Sequence, residues 1–275
     1  PVAATNCLNF GNPEKREIMA QFSATIDGIA EACNALGTPI TGGNVSLYNE
    51  TKGEGIYPTP VMGIVGILED VTKTVPKYFS RDGDVILHWQ PYAVDYDGGT
   101  DRFLYERTFG SSEYAKIVLG RFWGSPPDIA LAYDARVNKV LENLAENGLV
   151  SSVSDIDDGG LAVAISEASF PIGIGARVDL SSIGHNQHTA IQLFGETACT
   201  LLITCPRASL EQIKAIVSDS GLGGLQSVGS TGGDSIEILS GGQNLISSLV
   251  AKLHAPWSSS LESALHDNSA NEAFA

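Results

Sequence analysis

The strongest constraint on the fold of this chain is a segment in which two glycines precede alternating polar and apolar side chains. Residues 41–50 read Thr-Gly-Gly-Asn-Val-Ser-Leu-Tyr-Asn-Glu. On an extended backbone Asn44, Ser46 and Tyr48 share one face, because successive side chains of a strand point to opposite sides. The Gly42-Gly43 pair allows backbone conformations closed to other residues and lets a ligand come close to the amides. The segment therefore predicts a strand edge that offers an amide oxygen, a hydroxyl and open backbone groups to a small polar ligand.

The same pattern is also typical of a glycine-rich turn followed by a half-buried polar strand, which is the commoner case. The segment is not a Walker motif, because no Lys-Ser or Lys-Thr pair follows the glycines. The glycine spacing of the dinucleotide-binding fingerprint is absent as well. On the pattern alone, both the turn and the ligand site remain open.

The residues before this segment predict a helix. Asn12-Pro13-Glu14 is typical of a helix start, because Asn caps helices, proline fits the first helical position and Glu suits the positive end. Apolar residues then recur at spacings of three and four, and Gly37 is placed to end the helix. We expect this stripe to be core: Ile18, Met19, Phe22, Ile26, Ile29 and Cys33. After the glycine segment, the apolar run 61–68 predicts a buried strand.

Predicted strands and helices are interleaved over the rest of the chain, which indicates a layered α/β architecture. The predicted elements are 137–144, 150–156, 161–168, 176–180, 189–194, 199–204, 210–217, 225–228, 236–239 and 245–253. Pro126-Pro127-Asp128 suggests a domain boundary. Asp157-Asp158 precedes the helix at 161; a charged cap is the commoner reason for such a pair, and a Mg²⁺ or phosphate site is the alternative.

Composition excludes several classes of function. Sixteen basic and 32 acidic residues give a net charge of −16, which opposes binding to nucleic acid or to an anionic membrane. The apolar content of 43% against 17% charged residues predicts a packed core. The four cysteines show no metal-site or redox spacing, so we expect reduced thiols in a cytoplasmic protein.

The histidines do not predict a complete active site. There are five, and none lies in a recognisable Ser/His/Asp or Cys/His signature: His88, His185, His188, His254 and His266. The chain also begins at Pro1 within what reads as a strand, so we expect it to be a fragment cut inside a domain.

Two nearly contiguous motifs together resemble a known family. Residues 6–14 read Asn-Cys-Leu-Asn-Phe-Gly-Asn-Pro-Glu, and residues 42–50 carry the glycine segment. The combination resembles the large, ATP-dependent subunit of phosphoribosylformylglycinamidine synthase, in its C-terminal part and short bacterial form. The resemblance continues more loosely through 155–161 and 193–197. It departs at Ser154, near which the family often carries a histidine.

The resemblance implies an α/β fold of two parts. Residues 1–127 would be a domain of the ATP-binding, aminoimidazole ribonucleotide (AIR) synthetase-like N-terminal type, truncated at its start. Residues 128–257 would be the matching C-terminal α/β domain. The Ser-, Asn- and Ala-rich composition of 258–275 predicts a partly disordered tail, with one short helix around 261–265.

The resemblance also implies an activity and a set of site residues. The family converts formylglycinamide ribonucleotide, ammonia from glutamine and ATP to formylglycinamidine ribonucleotide, ADP and phosphate. Carried over by position, Asn6 and Gly43 would contact ATP, Asn44 would ligate Mg²⁺ and Ser46 would contact the substrate. Some relatives carry Asp where Asn6 stands, and Asn brings no charge for coupling to the metal.

The implied partners are the absent N-terminal half of the subunit, a glutaminase subunit and a small bridging subunit. The histidines used for the family's chemistry belong to that absent half, so no catalytic residue is expected here and the fragment alone is expected to be inactive. Two alternatives stay open: another ATP-binding relative, such as AIR synthetase or selenophosphate synthetase, and a non-catalytic docking half.

Overall fold

The chain forms two units in a computed structural model that describes residues 1–93, 109–126, 129–183 and 188–266. The first unit comprises Pro1–Thr72 and Ala130–Ala135, and the second comprises Lys73–Ile129 and Arg136–Ala275. The boundary predicted at Pro126-Pro127-Asp128 falls partly outside the described residues. The first division along the chain comes earlier, between Thr72 and Lys73.

The first unit is built on a strand–helix–strand crossover. Strand β1 (Ala3–Asn9) is followed by helix α1 (Arg16–Leu36) and strand β2 (Ile40–Ser46), which pairs with β1 in parallel. A parallel pair needs such a crossover, because the chain must return to the same end of the sheet. Strand β5 (Thr59–Val65) pairs antiparallel with β1, so the order is β2-β1-β5. In the chain between β2 and β5, β3 (Glu50–Thr51) and β4 (Glu54–Gly55) form a small separate hairpin.

Helix α1 ends as predicted but begins later. Gly37 adopts φ 62° and its amide donates to the Asn34 carbonyl, which is a left-handed helix termination. The predicted start at Asn12 is wrong: the Asn12 Oδ1 accepts from the Glu14 amide at 2.9 Å in a local turn. The helix begins at Arg16 without a side-chain cap. The side chain of Asn12 therefore closes a turn before the helix instead of capping it.

The apolar residues of the first unit are less buried than predicted. No residue of α1 is fully buried, and Met19, expected in the core, is 46% exposed. The run 61–68 was expected to be a buried strand, yet Val61 and Val65 are 54% and 55% exposed. These side chains have the apolar character of a core without being covered by the described part of the chain.

The second unit contains a seven-stranded mixed sheet of order β12-β11-β8-β10-β6-β9-β7. Its strands are β6 (Val85–Ala93), β7 (Ser152–Asp155), β8 (Ala176–Asp179), β9 (Leu201–Cys205), β10 (Leu222–Thr231), β11 (Ser235–Ser240) and β12 (Gln243–Leu249). Neighbouring strands pair antiparallel except β8 and β11, which are parallel.

Six further helices lie within the described residues. They are α2 (Glu113–Ile117), α3 (Leu131–Glu146), α4 (Gly160–Ser169), α5 (Thr189–Phe194), α6 (Leu210–Asp219) and α7 (Val250–His266). Short 3₁₀ turns occur at Val71–Lys73, Phe109–Ser111, Leu180–Ser182 and Arg207–Ser209. The tail predicted from Ser258 is helical as far as His266, because α7 continues through Pro256. No helix of the described ranges combines the length and hydropathy that a membrane crossing requires.

Alternation along the central strands gives the seven-stranded sheet a core on each face. Val85, Leu87 and Trp89 of β6 belong to one buried cluster, together with residues of α3 and α6. Ile86 belongs to the other cluster, with residues of α4, α5 and α7. Helices on both faces of a sheet are the layered α/β arrangement predicted from the interleaved pattern. The fold class is therefore confirmed.

Candidate functional site

The four predicted site residues all lie on the two parallel strands of the first unit. In the register of β1 and β2, Asn6 stands opposite Gly43, Cys7 opposite Asn44 and Asn9 opposite Ser46. Strand β2 has β1 as its only neighbour among the described residues. The glycine segment is thus an edge strand with open backbone groups, as its pattern predicts. The carboxyl ends of parallel strands are where α/β proteins bind ligands.

The structure places the predicted residues on two faces of this edge. Because side chains alternate along a strand, Asn44 and Ser46 share one face with Cys7, and Asn6 and Gly43 lie on the other. Tyr48 does not continue the alternation: β2 ends at Ser46, and Tyr48 has a left-handed φ of 59°. Only a ligand that extends along the open edge of β2 can reach both pairs.

The two glycines have different surroundings. A Cβ atom at Gly43 would lie 2.2 Å from Asn6 Oδ1 and 2.7 Å from the Asn6 carbonyl oxygen. The space above Gly43 is therefore filled by Asn6 itself. A Cβ atom at Gly42 would meet nothing within 4 Å. Close ligand approach to the backbone is open at Gly42, whereas Gly43 is needed for the packing of Asn6.

The ends of β1 and β2 are joined through Asn49, which the sequence analysis did not single out. Its Nδ2 donates to the carbonyl oxygens of Phe10 and Ser46, both at 3.0 Å. Its Oδ1 lies 3.2 Å from the Ser46 Oγ, and Nδ2 lies 3.1 Å from the same oxygen. The signal available in the sequence was an asparagine in the short connection between β2 and β3, where its side chain often bonds to nearby backbone.

One cation lies beside the strand ends. The Lys15 Nζ donates to the Glu50 Oε1 at 2.7 Å, and this hydrogen bond raises the pKa of Lys15. Both groups are partly exposed. The ion pair links the turn before α1 to the start of the β3–β4 hairpin.

The donor set allows a partial metal site only. In the described ranges, no three His, Cys, Asp or Glu side chains are grouped as a metal would require. The Asn44 amide oxygen is exposed and is a hard ligand that suits Mg²⁺. Mg²⁺ commonly takes its remaining ligands from water and substrate phosphates, so Asn44 fits the role of a single protein ligand.

The acidic segment before α4 is a loop closed by a distant carboxylate. The helix begins at Gly160, after the Asp157-Asp158 pair, so the pair does not itself cap it. Glu196 Oε1 instead accepts from the Gly159 amide at 2.8 Å and from the Glu113 amide at 2.9 Å. Burial, with a smaller contribution from Asp157, raises the pKa of Asp155.

Three of the described histidines have clear surroundings within the second unit. His88 on β6 has its pKa lowered to about 4 by burial, so it is neutral at pH 7. His188 caps α5, and His254 stacks with Trp257. His185 lies outside the described residues.

Comparison with known proteins identifies the two halves of the chain. Residues 1–68 match the family described as AIR synthase related protein, N-terminal domain. Residues 81–240, more than half of the chain, match AIR synthase related protein, C-terminal domain. These matches agree with the predicted order of the two domain types.

Among curated relatives, the phosphoribosylformylglycinamidine synthase subunit PurL of Anaeromyxobacter sp. (strain Fw109-5) is 40% identical over 264 residues. The match covers 94% of this chain and 32% of the relative, so the chain spans about a third of its length. The PurL of Anaeromyxobacter dehalogenans (strain 2CP-C) is 36% identical over 98% of this chain and 34% of its own length.

Solved structures of Thermotoga maritima PurL share the fold. The complex with ATP has a TM-score of 0.67 at 18% identity and covers 92% of this chain and 37% of its own. The complex with FGAR has a TM-score of 0.68 at 18% identity, with coverage of 92% and 39%. The structure of PurLQS from the same organism gives 0.66 at 16% identity, with coverage of 91% and 37%. With its two domain matches and this shared architecture, the chain belongs to the AIR synthase related protein family.

Proposed function

We propose that this chain is the C-terminal part of the large subunit of phosphoribosylformylglycinamidine synthase. This enzyme is an ATP-dependent ligase of purine biosynthesis that converts formylglycinamide ribonucleotide (FGAR) to its amidine. The observation that carries the proposal is the 40% identity to a PurL subunit over 94% of the chain, across both units. The T. maritima PurL structures with ATP and with FGAR support the choice of ligands.

In this proposal the edge of β2 holds the nucleotide and the substrate. Asn6 and Gly43 contact ATP from one face, Asn44 provides one ligand to Mg²⁺, and Ser46 contacts FGAR from the other face. The exposure of Asn44 and the open edge of β2 support these roles, and ATP would contact Gly43 at that edge because Asn6 fills the space above this glycine. Bound Mg²⁺ supplies charge neutralisation for the triphosphate, which a chain of net charge −16 needs.

The reaction in this proposal has two steps. The glycinamide carbonyl oxygen of FGAR, on the carbon bonded to the ribosylamine nitrogen, attacks the γ-phosphorus of ATP, and the bond from that phosphorus to the ADP oxygen breaks. Ammonia then adds to the activated carbon, phosphate leaves with the oxygen, and loss of a proton gives the amidine. The contribution of this chain is to bind and orient the two ligands, which is a large part of catalysis in phosphoryl transfer.

The active site in this proposal is shared with the N-terminal half of the same subunit. In the register of the three-stranded sheet, Val61 stands opposite Cys7, which stands opposite Asn44. The exposed Val61 and Val65 of β5 therefore lie on the same face as Asn44 and Ser46. A polypeptide that covers the valines would bring its own groups beside Asn44. The further partners are a glutaminase subunit and a small bridging subunit, and the PurLQS structure supports an assembly of this kind.

The proposal is tested by recombining the chain with the polypeptide that precedes it in the gene. We expect the mixture to hydrolyse ATP only when FGAR and ammonia are both present, and neither part to do so alone. If both parts fold and the mixture shows no turnover, the proposal that this chain is part of the enzyme would be wrong. The chain would then be a non-catalytic docking half.

A variant of Asn44 tests the metal role. In the recombined enzyme, we expect Asn44→Ala to lower turnover about tenfold at limiting Mg²⁺. This corresponds to roughly 1.4 kcal/mol, the contribution of one ligand to a charged group. Turnover should recover at high Mg²⁺. Asn34→Ala, an exposed asparagine on α1, is the matched control and should behave as wild type. An Asn44→Ala enzyme with an unchanged Mg²⁺ requirement would exclude Asn44 as a ligand.

A further inference from the structure

The side-chain amide of Asn49 is fixed in one orientation by its surroundings. Nδ2 lies 3.0 Å from the Phe10 carbonyl oxygen and 3.0 Å from the Ser46 carbonyl oxygen. Turning the amide over would place Oδ1 against both carbonyl oxygens, which are acceptors only and would repel it. Nδ2 also lies 3.1 Å from the Ser46 Oγ, but it carries only two N–H groups, and the two carbonyl oxygens at 3.0 Å accept both of them.

This orientation determines what the Ser46 hydroxyl can do. With the amide so fixed, the atom 3.2 Å from Ser46 Oγ is Oδ1, which carries no hydrogen. A bond between these two oxygens therefore requires the Ser46 hydroxyl to donate. Once its single proton is directed at Asn49, the hydroxyl presents only lone pairs to its other neighbours.

Further bonds hold this turn in place. The Phe10 amide donates to the Ser46 carbonyl at 3.0 Å, and the Asn49 amide donates to the Phe10 carbonyl at 3.1 Å. Tyr48 between them has φ 59°, a left-handed conformation that costs a non-glycine residue about 1 kcal/mol. The bonds of Asn49 to Ser46 and to Phe10 stabilise this strained conformation of Tyr48.

We propose that Asn49 is a positioning residue that makes Ser46 a hydrogen-bond acceptor toward the ligand. The group of the ligand that meets Ser46 is then an O–H or N–H, such as a ribose hydroxyl or an amide N–H of FGAR, and not a phosphate oxygen. This inference deepens the proposed function and rests on it for the identity of the substrate. The hydrogen bonding within the protein does not depend on that identity.

A double-mutant cycle in the complete gene product tests whether Asn49 acts through Ser46. We expect Ser46→Ala and Asn49→Ala each to weaken FGAR binding about tenfold, and the double variant to be no weaker than the worse single variant. ATP binding should change less than twofold in all three, because Asn6 and Gly43 lie on the opposite face. Asn34→Ala is the matched control. Additive losses, or unchanged FGAR binding in Asn49→Ala, would overturn the proposal.

A second measurement separates this proposal from the proposed function. In the wild-type chain, the side-chain amide protons of Asn49 should exchange with solvent at least tenfold more slowly than those of the exposed Asn34. Equal exchange rates would overturn the bonding of Asn49 whatever the protein binds. Slow exchange in a protein that does not bind FGAR would instead count against the proposed function. It would still support Ser46 as a hydrogen-bond acceptor, at a site for another ligand.

Discussion

At the scale of single residues, the closest packing around the candidate site is between Gly43 and Asn6. A methyl group at Gly43 would overlap both the side-chain and the main-chain oxygen of Asn6. The neighbouring Gly42 has open space at the same position. Substituting each glycine in turn therefore separates the cost of close packing, present only at Gly43, from the cost of losing a glycine.

We expect Gly43→Ala to lower the free energy of unfolding by about 2 kcal/mol, the usual cost of overpacking, and Gly42→Ala to cost less than about 1 kcal/mol. Asn6→Ala added to Gly43→Ala should restore part of the loss, since the contact with the Asn6 main chain remains. Urea denaturation of the four proteins measures this. Equal costs at the two glycines would contradict the close contact.

Residue types were easier to predict than their partners. The sequence indicated that Gly43 serves a close approach, but the approaching group is Asn6, on a strand distant in sequence. Only the register of β1 against β2 brings them together, and register depends on the packed fold. Asn49 escaped notice for the same reason, since its partner Phe10 lies just after β1 and is distant in sequence.

At the scale of the elements, strand β6 carries a histidine into the interior of the second unit. His88 stands between Leu202 of β9 and Gln226 of β10. Burial opposes its protonation and lowers its pKa to about 4, against an ordinary value of 6.5. Between these two values the unfolded chain binds a proton that the folded chain does not.

Stability should therefore be complete above pH 6.5 and decline as the pH falls toward 4. The contribution of His88 is up to roughly 3 kcal/mol, from about 1.4 kcal/mol for each unit of pKa difference. The His88→Gln variant should lose less stability than wild type between pH 7 and pH 4.5, by urea denaturation followed with circular dichroism. Parallel pH profiles for the two proteins would show that His88 titrates normally.

Elements with local signals were predicted well, and those decided by distant contacts were not. Gly37 ends α1 because its left-handed conformation is a local property of glycine. The start of α4 depends on Glu196, which comes from the loop after α5 and could not be read from the acidic pair. The start of α1 is the exception, because it was missed although the bond from the Glu14 amide to the Asn12 side chain is local.

At the scale of the whole molecule, the first unit exposes apolar side chains that the described chain does not cover. Val61 and Val65 point to the face that carries Asn44 and Ser46, and each is more than half exposed. Removing an exposed methyl group costs little in an isolated chain. The same change costs more where a partner covers it.

We expect Val61→Ser with Val65→Ser to change the stability of this chain by less than about 1 kcal/mol, while weakening its association with the proposed N-terminal half about tenfold or more. Leu261→Ser, at a leucine of α7 that is more exposed than either valine, is the control and should associate normally. Analytical ultracentrifugation of the mixed halves measures the association of the valine variant and of the control. Undiminished association of the valine variant would place the contact elsewhere.

The carboxylate of Glu196 joins segments of the second unit that are far apart in sequence. One of its oxygen atoms, in the loop after α5, accepts from the residue before α4 and from the first residue of α2. Loss of this one atom would therefore leave both amides without their side-chain partner.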